Sequence, residues 1–263
     1  PTMMRALYSA ATGMIAQQYN IDTISNNLAN VNTTGFRKNV AHFQDLIYQN
    51  LRAPGTPVGP SVVPVGQDVG LGVKIGASEK QFTQGVLMQS SNPLDIAIEG
   101  EGFFQVTLPD GTTAYTRDGS FKRDANGSIV TADGYFLNPQ ITIPSNSTGV
   151  QVGQDGTVTA QIPGQQTPQQ LGQINLVRFT NSAGLAPQGR NLFVQTGASG
   201  APTLSQPGLN GTGTLQGGYL EQSNVSTVEE IVNLITAQRA YEANSKAITT
   251  SDEMLQTAVQ LKR

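Results

Sequence analysis

The chain has 263 residues, of which 37% are hydrophobic and 13% charged, and its formal net charge is −3. This length is ample for a buried core, and the lack of a polybasic segment disfavours binding to nucleic acid or to a lipid surface. With no Cys and a single His, the sequence excludes disulfides, thiolate metal sites and Cys nucleophiles, and we expect no catalytic centre, no metal site and no cofactor.

The segment from about Met3 to Val31 is predicted to form a long helix. Its heptad positions are apolar except for Gln17, and they are Leu7, Ala10, Met14, Ile21, Ile24, Leu28 and Val31. The other faces carry Gln, Asn, Ser and Thr rather than the Glu and Lys of a solvated coil, which favours burial against other protein, although an ordinary amphipathic core helix also fits. We expect the helix to end at 30–35, where Gly35 can adopt the left-handed conformation.

Residues 39–95 are predicted to form a linker that contains an extended arm at 51–73. Four Pro and five Gly lie between Arg52 and Val73. Because Pro fixes φ and lacks a backbone N–H, this composition argues against a regular helix or a central strand and favours extended or polyproline-like chain.

Residues 96–205 are predicted to form a central antiparallel β domain. Turn sequences such as Pro109-Asp110-Gly111 and Asp155-Gly156 separate its apolar segments. The strand candidates are 103–108, 112–116, 121–123, 128–131, 141–143, 150–152, 157–160, 173–179 and 192–195. Their spacing suits a small barrel or sandwich, and residues 206–225 are expected to return the chain to the last helix.

Residues 226–263 are predicted to form a second long helix. Ser226 and Glu229 make a capping box, and neither Pro nor Gly interrupts the segment after them. One heptad seam is apolar, with Leu234, Tyr241, Ile248 and Leu255 flanked by Ile231, Ile235 and Val259. The other seam, Ala237, Asn244, Ser251 and Ala258, is small, which suits close approach of a helix but not a self-sufficient two-stranded coiled coil.

The predicted fold class is therefore α+β, in which the N-terminal helix (1–38) and the C-terminal helix (226–263) form a coiled-coil-like stalk. The linker with its Pro/Gly-rich arm, the central, mainly antiparallel β domain and the return segment complete the domain assignment. Candidate sites for chemistry are weak: His42 has no Cys to pair with, and Asp124 to Ser128 fit a hairpin turn better than a calcium loop.

Two phrases near opposite ends of the chain, ISNNLANVNTTGFRK at 24–38 and AQRAYEANSKAITTSDEML at 237–255, resemble the shared motifs of the bacterial flagellar rod and hook protein family. The interior phrases EGEGFFQVTLPDGTTAYTRDGSF and PGLNGTG are similar to the distal rod members of that family, so the resemblance spans essentially the whole chain. The motif residues are Asn26, Asn27, Asn30, Gly35, Phe36, Gln238, Arg239, Tyr241 and Asn244.

The resemblance implies a structural, non-enzymatic subunit of the distal rod, a rigid hollow helical shaft that transmits torque to the hook. Its implied partners are further copies of the chain, the proximal rod protein, the hook or hook-rod junction proteins, the P and L ring proteins, the rod cap and the type III export apparatus. The implied location is the basal body, from periplasm to outer membrane. Because the first residues lack the apolar core of a signal peptide and no segment approaches 18 apolar residues, we expect export without a cleaved signal peptide and no membrane insertion.

We expect the polymer contacts on the two terminal helices, at Leu7, Met14, Ile21, Ile24, Leu28, Val31, Ile231, Leu234, Tyr241, Ile248 and Leu255. The arm is expected to lie between neighbouring subunits through Pro54, Pro57, Pro60, Val63 and Pro64, with a flexible linker as the alternative. Two other functions stay open: a proximal rod or hook subunit of the same family, or a β-domain enzyme or glycan-binding module with an oligomerising stalk.

Overall fold

The computed structural model describes residues 2–52, 57–58, 61–62 and 65–260. The chain divides into two compact units. We call the first the helical unit, which comprises Pro1–Ala29, Asn39–Glu79 and Ser226–Arg263, and the second the β unit, which comprises Asn30–Lys38 and Lys80–Val225. The chain therefore crosses from one unit to the other four times, next to residues 30, 38, 80 and 225.

The helical unit contains two long helices and six strands. They are α1 (Thr2–Ala29), β1 (Asn39–Asp45), β2 (Tyr48–Arg52), β3 (Pro57–Val58), β4 (Ser61–Val62), β5 (Gln67–Gly70), β6 (Val73–Lys80) and α2 (Thr227–Gln260). Both predicted helices are confirmed, and the start of α2 shows one half of the predicted capping box, with Glu229 N 3.5 Å from the Ser226 hydroxyl oxygen.

The two helices pack together through small and polar side chains. Ala237 and Ser251 are buried on α2, and a Cβ added at Gly13 of α1 would lie 2.9 Å from the Asn244 amide nitrogen. The small seam of α2 therefore faces α1, as its side-chain size predicted. Glu230, also buried on this face, accepts a hydrogen bond of 3.1 Å from the Asn27 amide.

In the described residues the predicted arm is extended chain, but it pairs with itself as a hairpin, which the sequence did not predict. β1 pairs with β6, β2 pairs antiparallel with β5, and β3 pairs antiparallel with β4, so the pairs nest inside one another. A two-stranded hairpin has only edge strands, which tolerate Pro, and Pro57 stands at the first position of its strand. Pro54, Pro60, Val63 and Pro64 lie outside the described residues.

The β unit contains sixteen short strands and one short 3₁₀ turn at Ser182–Gly184. The strands are β7 (Leu87–Gln89), β8 (Ile96–Glu99), β9 (Phe103–Thr107), β10 (Thr113–Thr116), β11 (Lys122–Arg123), β12 (Ile129–Val130), β13 (Phe136–Leu137), β14 (Gly149–Val152), β15 (Thr157–Gln161), β16 (Gln169–Gln173), β17 (Leu176–Arg178), β18 (Ala186–Gly189), β19 (Leu192–Val194), β20 (Thr203–Ser205), β21 (Thr214–Gly217) and β22 (Tyr219–Glu221).

The largest sheet has nine strands, and β9 lies at its centre. Its main path is β11-β12-β13-β9-β10-β19-β18, while β17 pairs with both β9 and β20. A second sheet has the order β14-β15-β16, and β8 with β21 and β7 with β22 form two-stranded ladders. The strand pairings described in the β unit are antiparallel, which confirms the predicted antiparallel character of the central region.

The β unit differs from the sequence prediction in several places, and its strands β13, β18 and β20 lie outside the predicted strand candidates. Residues 141–143 form a single bridge, Thr142 with Ser128, rather than a strand. The segments 80–95 and 206–225, predicted as linker and return chain, belong to the β unit because β7 and β8 pair with β22 and β21.

The β unit is held together by apolar clusters between its sheets. The largest contains Ile96, Ile98, Phe104, Phe121, Ile129, Leu137, Ile141, Ile143, Val158, Ile174, Leu176 and Leu215, each at most 2% exposed. In a second cluster Tyr115 and Phe179 meet edge to face, with ring centres 4.8 Å apart. These buried side chains give the β unit a closed core of its own. Neither of the described helices combines the length and the apolar character needed to cross a bilayer.

Candidate functional site

Three charged side chains meet in the interior of the β unit, and we call Arg37, Arg117 and Glu221 the ion cluster. Arg37 Nη2 donates to Glu221 Oε1 at 2.7 Å, and Arg117 Nε donates to Glu221 Oε2 at 2.7 Å. The exposed fractions of the three side chains are 1%, 5% and 1% in that order. One carboxylate thus bridges two guanidinium groups away from water, and the cluster carries one net positive charge.

Every guanidinium nitrogen of Arg117 donates at least one hydrogen bond. Its Nη1 donates to the Gly102 carbonyl at 2.6 Å, and its Nη2 donates to the carbonyls of Ile98 at 3.0 Å and Gly100 at 2.6 Å. Gly100 and Gly102 have φ of 115° and 135°, values that side chains other than glycine disfavour, and this conformation turns the chain around the guanidinium. Arg117 therefore holds the β8–β9 connection in place.

Arg37 is bound less completely than Arg117. Its Nε and Nη1 atoms are buried and have no hydrogen-bond partner. Burial lowers the pKa of Arg37 from its ordinary value, and the positive charge of Arg117 lowers it further, while Glu221 opposes both effects. A buried N–H donor of a charged group that has no acceptor is energetically costly. Arg37 can therefore still donate hydrogen bonds to a further acceptor.

Three segments of the β unit adjoin the chain crossings, and we call 30–38, 80–84 and 221–225 the junction segments. The ion cluster links the first to the third, through Arg37 and Glu221. Gly35 N donates to the Glu221 carbonyl at 2.8 Å, and Lys38 N donates to Asn224 Oδ1 at 2.7 Å. Gln81 N donates to the Lys38 carbonyl at 2.8 Å. Backbone and side-chain bonds therefore fasten the three segments to each other beside the buried charges.

Gly35 is required at its position in the first junction segment. Its φ is 68°, and an added Cβ would lie 2.7 Å from the backbone nitrogen of Asp118. Any other residue would be both strained and obstructed there. Phe36, the next motif residue, is buried, and the Lys80 amino group lies 4.8 Å from its ring centre. These two motif residues thus support the junction.

The remaining motif residues have separate roles. Asn27 is buried in the helical unit, where its amide exchanges two hydrogen bonds of 2.8 Å with the backbone of Asn39. Asn30 accepts a hydrogen bond from Thr33 at 3.0 Å. Gln238 and Arg239 are exposed on α2, as is Asn26 on α1. The motif therefore includes both internal contacts and surface positions.

The predicted polymer-contact residues differ in their exposure. Ile231 and Tyr241 are 43% and 36% exposed, whereas Ile24 is only 5% exposed and so contributes to the interior of the helical unit. The half-buried members are Leu7, Met14, Ile21, Leu28, Val31, Leu234, Ile248 and Leu255.

The sequence predictions named Ile231 and Ile235 but missed two more exposed apolar residues of α2, Val228 and Val232. Val228, Ile231, Val232 and Ile235 follow the i, i+3, i+4, i+7 pattern of one helix face and are 75%, 43%, 57% and 45% exposed. We call them the α2 stripe. On α1, Met4, Tyr8 and Ile15 are 73%, 56% and 64% exposed. The heptad spacing of the stripe was available in the sequence, but only the packing of α1 showed which face of α2 remains open.

Within the part of the chain that the structure describes, no group of three or more His, Asp or Glu side chains has the geometry for a metal ion. His42 lies 3.4 Å from Glu79, and both side chains are about half exposed. This pair offers an exposed surface contact rather than a shaped reaction site.

Comparison with protein families matches three regions of the chain. Residues 7–37 match the flagella basal body rod protein model, residues 97–160 the flagellar hook protein FlgE/F/G D1 domain, and residues 216–261 the flagellar basal body rod FlgEFG protein C-terminal region. The chain is 53% identical to flagellar basal-body rod protein FlgG of Borreliella burgdorferi, over 99% of this chain and 100% of the relative. The chain belongs to the flagellar rod and hook protein family.

Two further relatives show that the chain is more similar to FlgG proteins than to an FlgF protein. Flagellar basal-body rod protein FlgG of Buchnera aphidicola (subspecies Acyrthosiphon pisum) is 50% identical over 98% of this chain and its own full length. Flagellar basal-body rod protein FlgF of Caulobacter vibrioides is 34% identical over 98% of both chains. The chain is a structural, non-enzymatic subunit of the flagellar basal body, of the distal rod type.

Proposed function

We propose that copies of this chain assemble into a hollow helical shaft through the apolar surfaces of the helical unit. One observation carries the proposal: fifteen of the twenty large apolar side chains found exposed among the described residues belong to the helical unit. Such concentration on one part of a protein is typical of a protein–protein interface. The α2 stripe is the densest part of this surface.

Burial of the α2 stripe would favour assembly. Full burial of a Val, Leu or Ile side chain contributes about 1.5 to 3 kcal/mol relative to exposure. Each subunit of a helical polymer repeats its contacts along the whole assembly, so a modest gain per contact accumulates over many neighbours. The partner that best matches such a surface is the corresponding helical surface of another copy.

The test is Val232→Asp, at an exposed position of the α2 stripe. In the monomer the new carboxylate stays in water, whereas in a packed interface it is buried without a partner, which costs several kcal/mol. We expect the monomer to remain folded and the polymer to be lost, as measured by sedimentation and electron microscopy of concentrated protein.

Leu209→Asp is the matched control. Leu209 is 55% exposed, close to the 57% of Val232, but it lies in the β unit. This variant is expected to polymerise as the parent does. Normal polymer from Val232→Asp, or loss of polymer from the control alone, would place the principal interface outside the helical unit.

We propose further that the hairpin of the helical unit lies between neighbouring subunits and makes the shaft stiff. The residues in and beside strands β2 and β5 of this hairpin include Ile47, Tyr48, Leu51 and Val65, which are 82%, 56%, 49% and 70% exposed. In a bending tube, neighbouring subunits slide past each other at every revolution, and an arm wedged between them opposes that sliding. Deletion of residues 54–69 is expected to give curved or bendable polymers in electron micrographs, and polymers as straight as the parent would contradict the wedge.

We infer that the assembled shaft transmits torque to the hook and passes from the periplasm to the outer membrane. Its neighbours in this scheme are the proximal rod, the hook or hook-rod junction, the P and L rings, the rod cap and the type III export apparatus. The hydrogen bonds among the junction segments suit torque transmission. Any force carried along the chain between the two units passes through these segments, which lie next to the ion cluster. A soluble monomer that never polymerises at high concentration would count against it.

A further inference from the structure

Beside the ion cluster, the β unit contains a cavity of about 230 Å³. Its lining includes Arg37 and Arg117 together with Phe82, Gln84, Phe103 and the glycine-rich segment 100–102. The share of liquid volume that one water molecule occupies is about 30 Å³. The cavity therefore has room for a small organic group as well as for water.

The charge around this cavity is unbalanced. Glu221 neutralises only one of the two buried arginines, and its Oε1 already accepts from Arg37 Nη2 and from Gly85 N, at 2.7 Å and 2.8 Å. Lys80, whose amino group donates to the Arg37 carbonyl at 3.2 Å, adds a further positive charge nearby. The acidic residue in the lining, Glu101, is 68% exposed and is paired with Arg178 at 2.7 Å.

The hydrogen bonds show that Arg37, rather than Arg117, lacks partners. Every nitrogen of the Arg117 guanidinium donates a hydrogen bond, whereas Arg37 Nε and Nη1 donate none although both are buried. An oxygen-bearing anion satisfies both deficits, because it supplies acceptors and a negative charge. Water supplies only the acceptors.

We propose that this cavity is a binding site for a carboxylate group, with Arg37 as the residue that selects for negative charge. The walls match a small carboxylate, since Phe82 and Phe103 offer apolar surface to its carbon atoms and Gln84 offers a polar edge. Two sources have this chemistry: a free small organic acid, or an Asp or Glu side chain from a second copy of the chain.

The experiment titrates the full-length monomer with ¹³C-labelled acetate at constant ionic strength and follows the acetate signal by NMR. Saturable binding is expected for the parent. Arg37→Gln is expected to weaken binding at least tenfold, and Arg190→Gln, which removes an arginine that is 65% exposed elsewhere in the β unit, is expected to leave it unchanged. Equal binding by the parent and Arg37→Gln, or no saturation in the parent, would overturn the site and leave the cavity to water.

A second variant keeps the proposal testable if Arg37→Gln fails to fold. Gln84→Glu changes no residue of the ion cluster and retains an acceptor for the Gly100 N–H, which donates to Gln84 Oε1 at 3.0 Å. It removes one donor, since Gln84 Nε2 donates to the Ile98 carbonyl at 3.2 Å, but that carbonyl still accepts from Arg117. The variant places a carboxylate at the cavity wall, so acetate binding is expected to fall at least tenfold. Acetate affinity unchanged in this variant would contradict the proposal.

Polymer formation distinguishes the two sources of the carboxylate. If the occupant is an acidic side chain of a second copy, saturating acetate slows assembly of the parent and Gln84→Glu assembles slowly without acetate. If the occupant is a free organic acid, both assemble at the parent rate while acetate still binds the monomer. The binding data alone decide whether the site exists, so failure of the proposed assembly mode would not be mistaken for failure of the site.

Discussion

The two units of this chain bury different kinds of side chain. All three apolar clusters found among the described residues lie in the β unit, whose core side chains are fully enclosed. In α2 the buried residues are Glu230, Ala237 and Ser251, which are charged, small or polar. The β unit therefore has an apolar core of its own, whereas most of the large apolar side chains found exposed among the described residues belong to the helical unit.

The difference follows from geometry. A long helix that packs through Gly, Ala and Ser approaches its partner closely and buries little apolar area per turn. The stability of such a pair in water comes from few contacts, and most helical stability in proteins comes from packing of an apolar face. The helical unit is therefore expected to be the less stable unit until a further chain covers the α2 stripe.

The largest expected loss of stability comes from Glu221→Gln. This substitution should lower the stability of the β unit relative to the helical unit. Loss of the carboxylate leaves two buried guanidinium groups without a counter-charge, and breaking a buried ion pair in this way costs about 3 to 5 kcal/mol. Hydrogen exchange measured at increasing urea concentration should show that the strands of the β unit lose protection at a lower concentration than in the parent.

Glu101→Gln is the control for that substitution. Glu101 also pairs with an arginine at 2.7 Å, but the two side chains are 68% and 46% exposed. Exposed ion pairs contribute about 0 to 1 kcal/mol, so the urea concentration at which the strands lose protection should change little. Equal effects of the two variants would show that burial of the ion cluster is not what makes it important.

An intermediate loss of stability is expected from Gly13→Leu. This substitution should destabilise the helical unit and leave the β unit unchanged. Even a Cβ at this position lies 2.9 Å from the Asn244 side chain, and overpacking typically costs about 1 to 3 kcal/mol. Hydrogen exchange should show faster exchange in α1 and α2 and unchanged exchange in the β strands. Ser25→Leu, at an exposed position of α1, should leave the exchange rates of both units as they are.

The smallest expected effect is a gain for the β unit from Asp118→Asn. Burial raises the pKa of Asp118, and the charge of Asp95 raises it further, while hydrogen bonds from Ser120 oppose the rise. Because the folded state holds this proton more tightly than the unfolded state, the parent gains stability as pH falls between the folded and unfolded pKa values. The amide side chain of the variant keeps the acceptor for Ser120 N and should abolish that gain while stabilising the protein slightly at pH 7, by less than about 1 kcal/mol.

Thermal unfolding of the parent and of Asp118→Asn across pH 3 to 7 measures this difference. A parent whose stability falls with decreasing pH as steeply as that of the variant would show that Asp118 contributes nothing to the pH dependence.

The parts of the fold that the sequence predicted are those encoded by local patterns. Heptad spacing and the Ser226 cap gave both helices, and Asp-Gly turns located most strands between 103 and 194. The small seam at Ala237 and Ser251 correctly indicated the face that approaches another helix. Local spacing, however, does not reveal the partner of a strand, so the pairing of β8 with β21 and the fold-back of the Pro-rich segment were missed.

The ion cluster was the least predictable part of the molecule. Arg37 and Glu221 are 184 residues apart, and Arg117 is 104 residues from Glu221. Each is a single charge within an ordinary-looking sequence, and composition suggests that such residues lie at the surface. Their apolar neighbours, such as Phe36 and Tyr115, were a signal that these charges lie close to a core, but only the tertiary fold brings the three together.

This separation along the chain also sets an order of events during folding. When a chain emerges from a ribosome or a channel with its N-terminus first, Arg37 and Arg117 appear long before Glu221. Until that carboxylate arrives, burying the two guanidinium groups is unfavourable, so both must stay hydrated and the sheets around them stay open. Strand β22, one of the last segments of the β unit to emerge, therefore completes the burial of two charges that emerge much earlier.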